Sequence, residues 1–491
     1  MGATVSETVT VRQGTLRGVR QGEVLAFLGI PYAAAPFGPR RLRPPAPPEP
    51  WPGVRAADRF GATVPKADYV AMYVPYFPEV TIAGEDCLNL NVYTRPDAAG
   101  APVLVWIHGG AFTNGSNSVP EYDGSAFARD GVVTVVINYR LAAEGFLYVG
   151  DEVANVGIQD QIAALRWVRD NIAAFGGDPG RVTVAGESAG AWSVNTLLAT
   201  PAAKGLFQQA ISQSGGAHHH LAPEQARQVA AELARNLGIE PTRAAFATVD
   251  PDKLALACRE VITELQTAPD PAKWGTLALT QQPYVPTVDG RVLPRPTLEA
   301  IAAGAGAEVR LLIGTTADEA RTILVASGAL DAVDEELLTA SVAAYGLPAD
   351  EALPVYRRDR PAARPGEVLS AVVSDWYFRI PSIRVAEARG GDTWMYRFDW
   401  ASPTLGSGHA VDIPFAFDTL HAPGLAPRLG DAPPQAVADT DHRIWVDFAT
   451  TGDPGWPRYD TATRATALIT DTLTVVSDPA GHERVLWEGR R

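Results

Sequence analysis

The pentapeptide Gly186-Glu187-Ser188-Ala189-Gly190 constrains this chain more than any other stretch. Val182-Thr183-Val184-Ala185 just before it is a β-branched run, and Ala191 to Leu198 after it has helical character, so the serine falls at a strand-to-helix turn. A side chain at either glycine would collide with the neighbouring strand or helix, which enforces a tight corner and leaves the serine oxygen exposed above a sheet. The N–H groups that follow begin a helix and point towards bound anions. By itself the pentapeptide also fits an ordinary glycine-rich turn. It makes Ser188 a candidate nucleophile only if the rest of the chain supplies a base, an acid and further N–H donors.

The chain has 491 residues, 46% of them apolar and 20% charged, which is a globular composition able to bury a large core. A net charge of -15 argues against a nucleic-acid or anionic-membrane partner. Two cysteines far apart, Cys87 and Cys258, rule out a disulfide framework and suit a reducing compartment. No apolar run approaches the roughly 18 residues needed to span a bilayer. Met1 to Arg12 lacks the apolar core of a signal peptide. A cytoplasmic protein without membrane contact is therefore expected, with a monomer favoured. Met1-Gly2-Ala3-Thr4-Val5-Ser6 fits a myristoylation pattern but lacks a basic second anchor, and is read as chance. The sequon Asn114-Gly115-Ser116 carries no meaning without secretion.

In chain order, residues 9 to 33 alternate short apolar runs with glycines and predict an antiparallel meander, and proline-dense Arg40 to Pro52 predicts an extended connection. Val103-Leu104-Val105-Trp106-Ile107 is a buried strand ending in His108-Gly109-Gly110-Ala111-Phe112, where adjacent glycines let backbone N–H groups face a cavity. Val132 to Tyr139 predicts another buried strand, and Gly157 to Phe175 places apolar residues at helical spacing. This βαβα succession predicts an α/β chain with a mostly parallel sheet covered on both faces. Leu221 to Leu265 and Asp334 to Ala388 are mostly helical, Val309 to Ile313 and Thr393 to Phe398 are strands, and a last strand lies near Leu473 to Val476. His218-His219-His220 does not suit a metal, because three consecutive side chains cannot all face one ion in regular structure.

Serine catalysis on a strand-to-helix corner orders its partners as Ser, then Asp or Glu, then His. Asp318 and Glu319, in the loop after the strand at Val309, both qualify as the acid, and the residues themselves do not separate these neighbours. Of the later histidines, His421 and His442 fall in surface-like stretches and His482 lies near the tail. His409 stands between Gly408 and Ala410 on a loop that suits a freely placed ring.

Several segments carry a family resemblance. Phe27-Leu28-Gly29-Ile30-Pro31-Tyr32-Ala33, Glu85-Asp86-Cys87-Leu88-Asn89-Leu90-Asn91-Val92, the His108 loop, Asp160 to Val168 with Phe175 to Pro179, and the Ser188 pentapeptide together resemble the type-B carboxylesterases, the cholinesterase-like branch of the α/β-hydrolases. The resemblance implies one α/β-hydrolase unit over residues 1–491, with insertions at roughly 217–300 and 320–390 walling the site. It implies Glu319 as the acid beside Ser188 and His409, with Asp318 stabilising the loop. It assigns the oxyanion donors to Gly110, Ala111 and Ala189, with alanine where many relatives carry a third glycine. It makes Glu187 a buried acid below the site, gives Ser214 a hydrogen bond near the triad, pairs Arg41 with Glu85, and puts His218 on the pocket wall. Secreted relatives close the loop before Cys87 with a partner cysteine, absent here, so packing alone is expected to hold it. The position of the cholinesterase tryptophan falls near Phe77, a weaker cation–π platform.

These readings converge on a serine carboxylesterase acting on small or aryl carboxylic esters, with no cofactor or metal. An amidase or carbamate hydrolase of the same fold, and a non-catalytic binding protein of the superfamily, are the alternatives.

Overall fold

The computed structural model of the protein describes residues 7–490. The myristoylation-like start, Met1 to Ser6, lies outside the described residues. Fourteen strands are labelled in chain order: β1 (Thr8–Val11), β2 (Gly14–Arg17), β3 (Val19–Gln21), β4 (Val24–Pro31), β5 (Val54–Ala56), β6 (Asn89–Thr94) and β7 (Ala101–Ile107), then β8 (Val133–Ile137), β9 (Gly177–Glu187), β10 (Gln209–Gln213), β11 (Arg310–Thr316), β12 (Thr393–Phe398), β13 (Ala465–Ile469) and β14 (Leu473–Ser477).

Strands β1, β2 and β5 form a small sheet, and the other eleven form one large sheet in the order β14-β13-β12-β11-β10-β9-β7-β8-β6-β4-β3. Its middle, from β8 through β13, is parallel throughout, while β6, β4 and β3 at one edge and β14 at the other run antiparallel. The single meander expected over residues 9–33 is instead two hairpins, β1–β2 in the small sheet and β3–β4 at the edge of the large one, while the parallel block holds the strands with continuous apolar runs. Strand β7 shows why. Val103, Val105 and Ile107 pack into the core on one face and Leu104 and Trp106 into that on the other, the alternation of a strand covered twice.

The helix Val156–Asn171 and the helix Ala189–Ala199 cover the first face. The helix Gln435–Thr451 covers the second, where Trp445 and Phe417 pack around Trp106 with ring centroids 6.0 and 4.9 Å away. Between β10 and β11 the chain runs through helices including Pro223–Leu237 and Pro251–Thr267, and between β11 and β12 through Glu335–Ala344, Ala349–Arg358 and Pro365–Ser374. The last of these continues through a π-helical turn, Asp375–Arg379, into Ile380–Ala388. Such turns shift the phase of side chains along a helix. None of the helices among the described residues is long and apolar enough to cross a membrane.

Three expectations need correction. Arg41 pairs with Glu144, 2.6 Å away and buried with it, and not with Glu85, which is exposed. His442 is not a surface residue: its Nδ1 lies 2.7 Å from the Ala416 carbonyl oxygen and its Nε2 3.0 Å from Asp130, and it is buried. The loop before Cys87 is not held by packing alone, because a buried Lys66 meets Glu79 at 3.3 Å within it.

Candidate active site

Strand β9 ends at Glu187 and the next helix begins at Ala189, which leaves Ser188 alone on the corner with φ 55° and ψ -121°. A non-glycine residue adopts that conformation only where its surroundings enforce it. The surroundings are the two glycines. A Cβ on Gly190 would lie 2.0 Å from the Ile107 carbonyl oxygen on β7, and one on Gly186 would lie 2.5 Å from the Gly190 carbonyl carbon. The strand and helix thus approach closely enough to clamp the corner. Ser188 N–H donates to Gln213 at 2.9 Å and the Ser188 carbonyl accepts from Trp192 at 2.8 Å. The serine side chain lines a cavity of about 530 Å³.

The residues expected as acid and base follow two further strands, β11 and β12. Glu319 follows β11 and is fully buried, with Oε1 accepting from Ser214 Oγ at 2.6 Å and from the Thr316 N–H at 2.8 Å. Its Oε2 lies 2.6 Å from His409 Nδ1, and the His409 N–H donates to the Glu319 carbonyl at 3.0 Å. Asp318 turns away, accepting from Ser370 Oγ at 2.5 Å. The Phe378 ring, carried by the π-helical turn, packs on the imidazole at 4.7 Å. The other ring nitrogen, Nε2, faces Glu187 Oε1 at 3.1 Å. Ser188 Oγ itself makes no hydrogen bond among the described residues, although it shares the cavity with His409.

Burial lowers the affinity of His409 for a proton, but Glu187, Glu319 and Asp412 outweigh it and raise the pKa to about 9. Burial pushes Glu187 up to about 8, against the pull of His409. Each group thus opposes the effect of burial on the other across the 3.1 Å contact. Burial likewise raises Asp412 to about 7.

The loop after β7 runs through positive φ at Gly110 (101°), Ala111 (54°) and Phe112 (60°). This turns successive peptide N–H groups to one side, the arrangement of an anion-binding nest. Among the described residues, neither the Gly110 nor the Ala111 N–H donates a hydrogen bond, and both residues line the cavity with Ser188. The Ala189 N–H opens its helix and has no partner within it. Gly109 leaves room for the Glu187 carboxylate, since a Cβ there would meet Oε2 at 2.7 Å. His108, stacked on Tyr139 at 4.6 Å, is pushed by burial down to about 3 and is a neutral spacer.

Residues 5–484 match the model of the carboxylesterase family. The chain belongs to that family. It is 37% identical to the para-nitrobenzyl esterase of Bacillus subtilis over 97% of this chain and 98% of that protein. It is 34% identical to a phenmedipham hydrolase of Pseudarthrobacter oxydans over 93% and 94%. A crystal structure of a Geobacillus stearothermophilus carboxylesterase superposes with a TM-score of 0.86 at 38% identity, covering 98% of this chain and all of that one. The protein is a carboxylic ester hydrolase with the α/β-hydrolase fold.

The walls of the carboxylesterase cavity come from distant segments. Phe77 lines it, with Tyr69 and Tyr73 packed around its ring at 5.7 and 6.2 Å. His218 is not among the lining residues. Its neighbour His219 stacks on Trp192 at 3.8 Å and meets Tyr377 at a tilt at 4.7 Å, so the histidine run backs the two aromatics that do line the cavity. Two buried charged residues at the wall escaped the sequence reading, Glu121 and Arg428, which form an ion pair beside Phe77. Their positions carry no local signal, because 307 residues separate the partners. Trp192 was more accessible to reasoning: it lies one helical turn after Ser188 and so shares its face.

Proposed function

We propose that the carboxylesterase hydrolyses small or aryl esters through a Ser188-His409-Glu319 triad and an acyl-enzyme. The observation that carries this reading is the 2.6 Å contact between His409 Nδ1 and Glu319, in a ring whose other edge borders the cavity holding Ser188. The carboxylate orients the imidazole and keeps Nε2 available as the proton acceptor. His409 takes the proton from Ser188 Oγ as the oxygen adds to the ester carbonyl. The N–H groups of Gly110, Ala111 and Ala189 receive the negative charge that develops on the carbonyl oxygen. His409 returns the proton to the departing alcohol, and water then enters by the same route to release the acid.

Nε2 faces Glu187 as well as the cavity, so the Glu187 carboxylate raises the proton affinity of the ring that acts as base. Ser214 supports Glu319 from below. Tyr377 and Phe378, from the segment between β11 and β12, bound the space that the substrate occupies, and the insertions at roughly 217–300 and 320–390 set its volume.

The test is a p-nitrophenyl ester chain-length series with matched anilides, run on the wild type and on Ser188→Ala. Burst release of p-nitrophenol, preference for ester over amide, and loss of turnover in a folded Ser188→Ala variant are expected. Retained turnover in that variant would discard the mechanism.

A further inference from the structure

The segment from Gly61 to Gly84 crosses the mouth of the site and carries Tyr69, Tyr73 and Phe77 into the cavity. No disulfide closes it. At its base the Lys66 side chain is 1% exposed, donates to the Val80 carbonyl at 2.8 Å and pairs with Glu79 at 3.3 Å. Burial lowers the Lys66 pKa, opposed chiefly by Glu79. Glu79 is itself only 13% exposed, so each charge depends on the other.

Glu79 does more than neutralise a lysine. Its Oε2 accepts from Asn114 Nδ2 and from the Gly115 N–H, both at 3.1 Å. Asn114 Nδ2 also donates to the Ala67 carbonyl at 2.9 Å, so the crossing segment grips this side chain from both of its limbs. Asn114 in turn folds the loop after β7: its N–H and that of Thr113 both donate to the Gly110 carbonyl at 2.9 Å. The fit there is tight, since a Cβ on Gly110 would lie 2.3 Å from the Asn114 carbonyl oxygen and one on Gly115 would lie 2.5 Å from His108 Nδ1. The orientation of the Gly110 and Ala111 N–H groups is therefore continuous, through ordinary hydrogen bonds, with a buried ion pair in another segment.

We propose that Lys66 and Glu79 are positioning residues for the oxyanion loop, holding Asn114 and Gly115, and through them the Gly110 and Ala111 N–H groups, where a tetrahedral intermediate needs them. The inference rests on those two residues being oxyanion donors. It assigns to an electrostatic clasp a part in the rate of ester cleavage beyond its part in stability. The Glu79 carboxylate, which also accepts from the Val80 N–H at 3.1 Å, fixes three hydrogen-bond donors and one cation at once, which packing of apolar side chains does not do.

The experiment compares Glu79→Gln, Lys66→Met and the double variant Lys66→Met with Glu79→Leu. The readouts are kcat, KM, thermal stability and the Ki of an aryl trifluoromethyl ketone, whose adduct with Ser188 carries an oxyanion. Removing one oxyanion donor outright costs on the order of 100-fold, so a displaced loop is expected to lower kcat by about ten-fold or more. KM should change little and the ketone Ki should weaken in proportion to kcat. The double variant removes both buried charges and should recover thermal stability over the single variants, yet remain slow. Variants that lose thermal stability while kcat and Ki stay within about two-fold of wild type would overturn the proposal, because a clasp that only stabilises the fold behaves that way. If the wild type binds the trifluoromethyl ketone no better than its methyl ketone counterpart, the oxyanion reading itself fails, a separate outcome.

Discussion

His409 Nε2 lies 3.1 Å from Glu187 Oε1, so the ring proposed as the base is bracketed by carboxylates at both nitrogens. Glu319 orients the ring through Nδ1, while Glu187, next to Ser188 in sequence, faces the nitrogen that the proposed mechanism assigns to the serine proton. With Asp412 also contributing, the net effect is a raised pKa, to about 9, despite burial.

A pH profile checks this directly. In the proposed mechanism the base works deprotonated, so the acidic limb of kcat/KM should follow the His409 pKa. Glu187→Gln removes one carboxylate that raises this pKa, and the limb should move to lower pH by about 1–3 units. An unmoved limb would mean that Glu187 does not govern the ring.

Ser214 Oγ is one of three groups, with the Thr316 N–H and His409 Nδ1, that hold the Glu319 carboxylate. A hydrogen bond to a charged group is worth about 1.5–3 kcal/mol. Ser214→Ala should lower kcat/KM by roughly ten-fold with the active-site serine still open to organophosphate labelling, measured by titrating the labelled fraction. Unchanged kinetics would show that the other two contacts suffice.

The corner at Ser188 leaves no slack. Gly190→Ala would drive a methyl group to 2.0 Å from the β7 backbone, where neither strand nor helix can yield. A loss of about 3 kcal/mol or more is expected, seen as a fall in the urea midpoint. Gly390→Ala, where an added Cβ meets nothing within 4 Å, should stay within about 0.5 kcal/mol of wild type.

Arg140 and Asp160 form the most deeply buried ion pair named here, 2.6 Å apart with side chains 1% and 0% exposed. The same carboxylate also accepts from the Arg140 main-chain N–H at 3.1 Å. Asp160→Ala strands the guanidinium and should cost about 3–5 kcal/mol. Arg12→Ala, at an exposed pair with Asp170, should cost less than about 1 kcal/mol. Equal losses in denaturant unfolding would contradict the burial argument.

The sequence by itself determined the strand-to-helix corner, the order in which Ser188, Glu319 and His409 occur, and the apolar strands of the parallel block. Each is a local property: Gly186 and Gly190 dictate backbone approach within a few residues, and the runs at Val103 and Val133 declare burial on both faces. Tertiary structure alone decided which charges meet. Arg41 takes Glu144 in place of Glu85, Lys66 closes its loop through Glu79, and Glu187 turns its carboxylate to His409. A charged side chain takes whichever opposite charge the fold brings within reach in a desolvated place. That choice depends on segments far apart in the chain and leaves no periodic trace in the residues between. The π-helical turn that lays Phe378 on His409 is partly of the same kind: Arg379 reaches Asp375 within the turn, but Tyr356 donates to Asp375 only once its helix has packed.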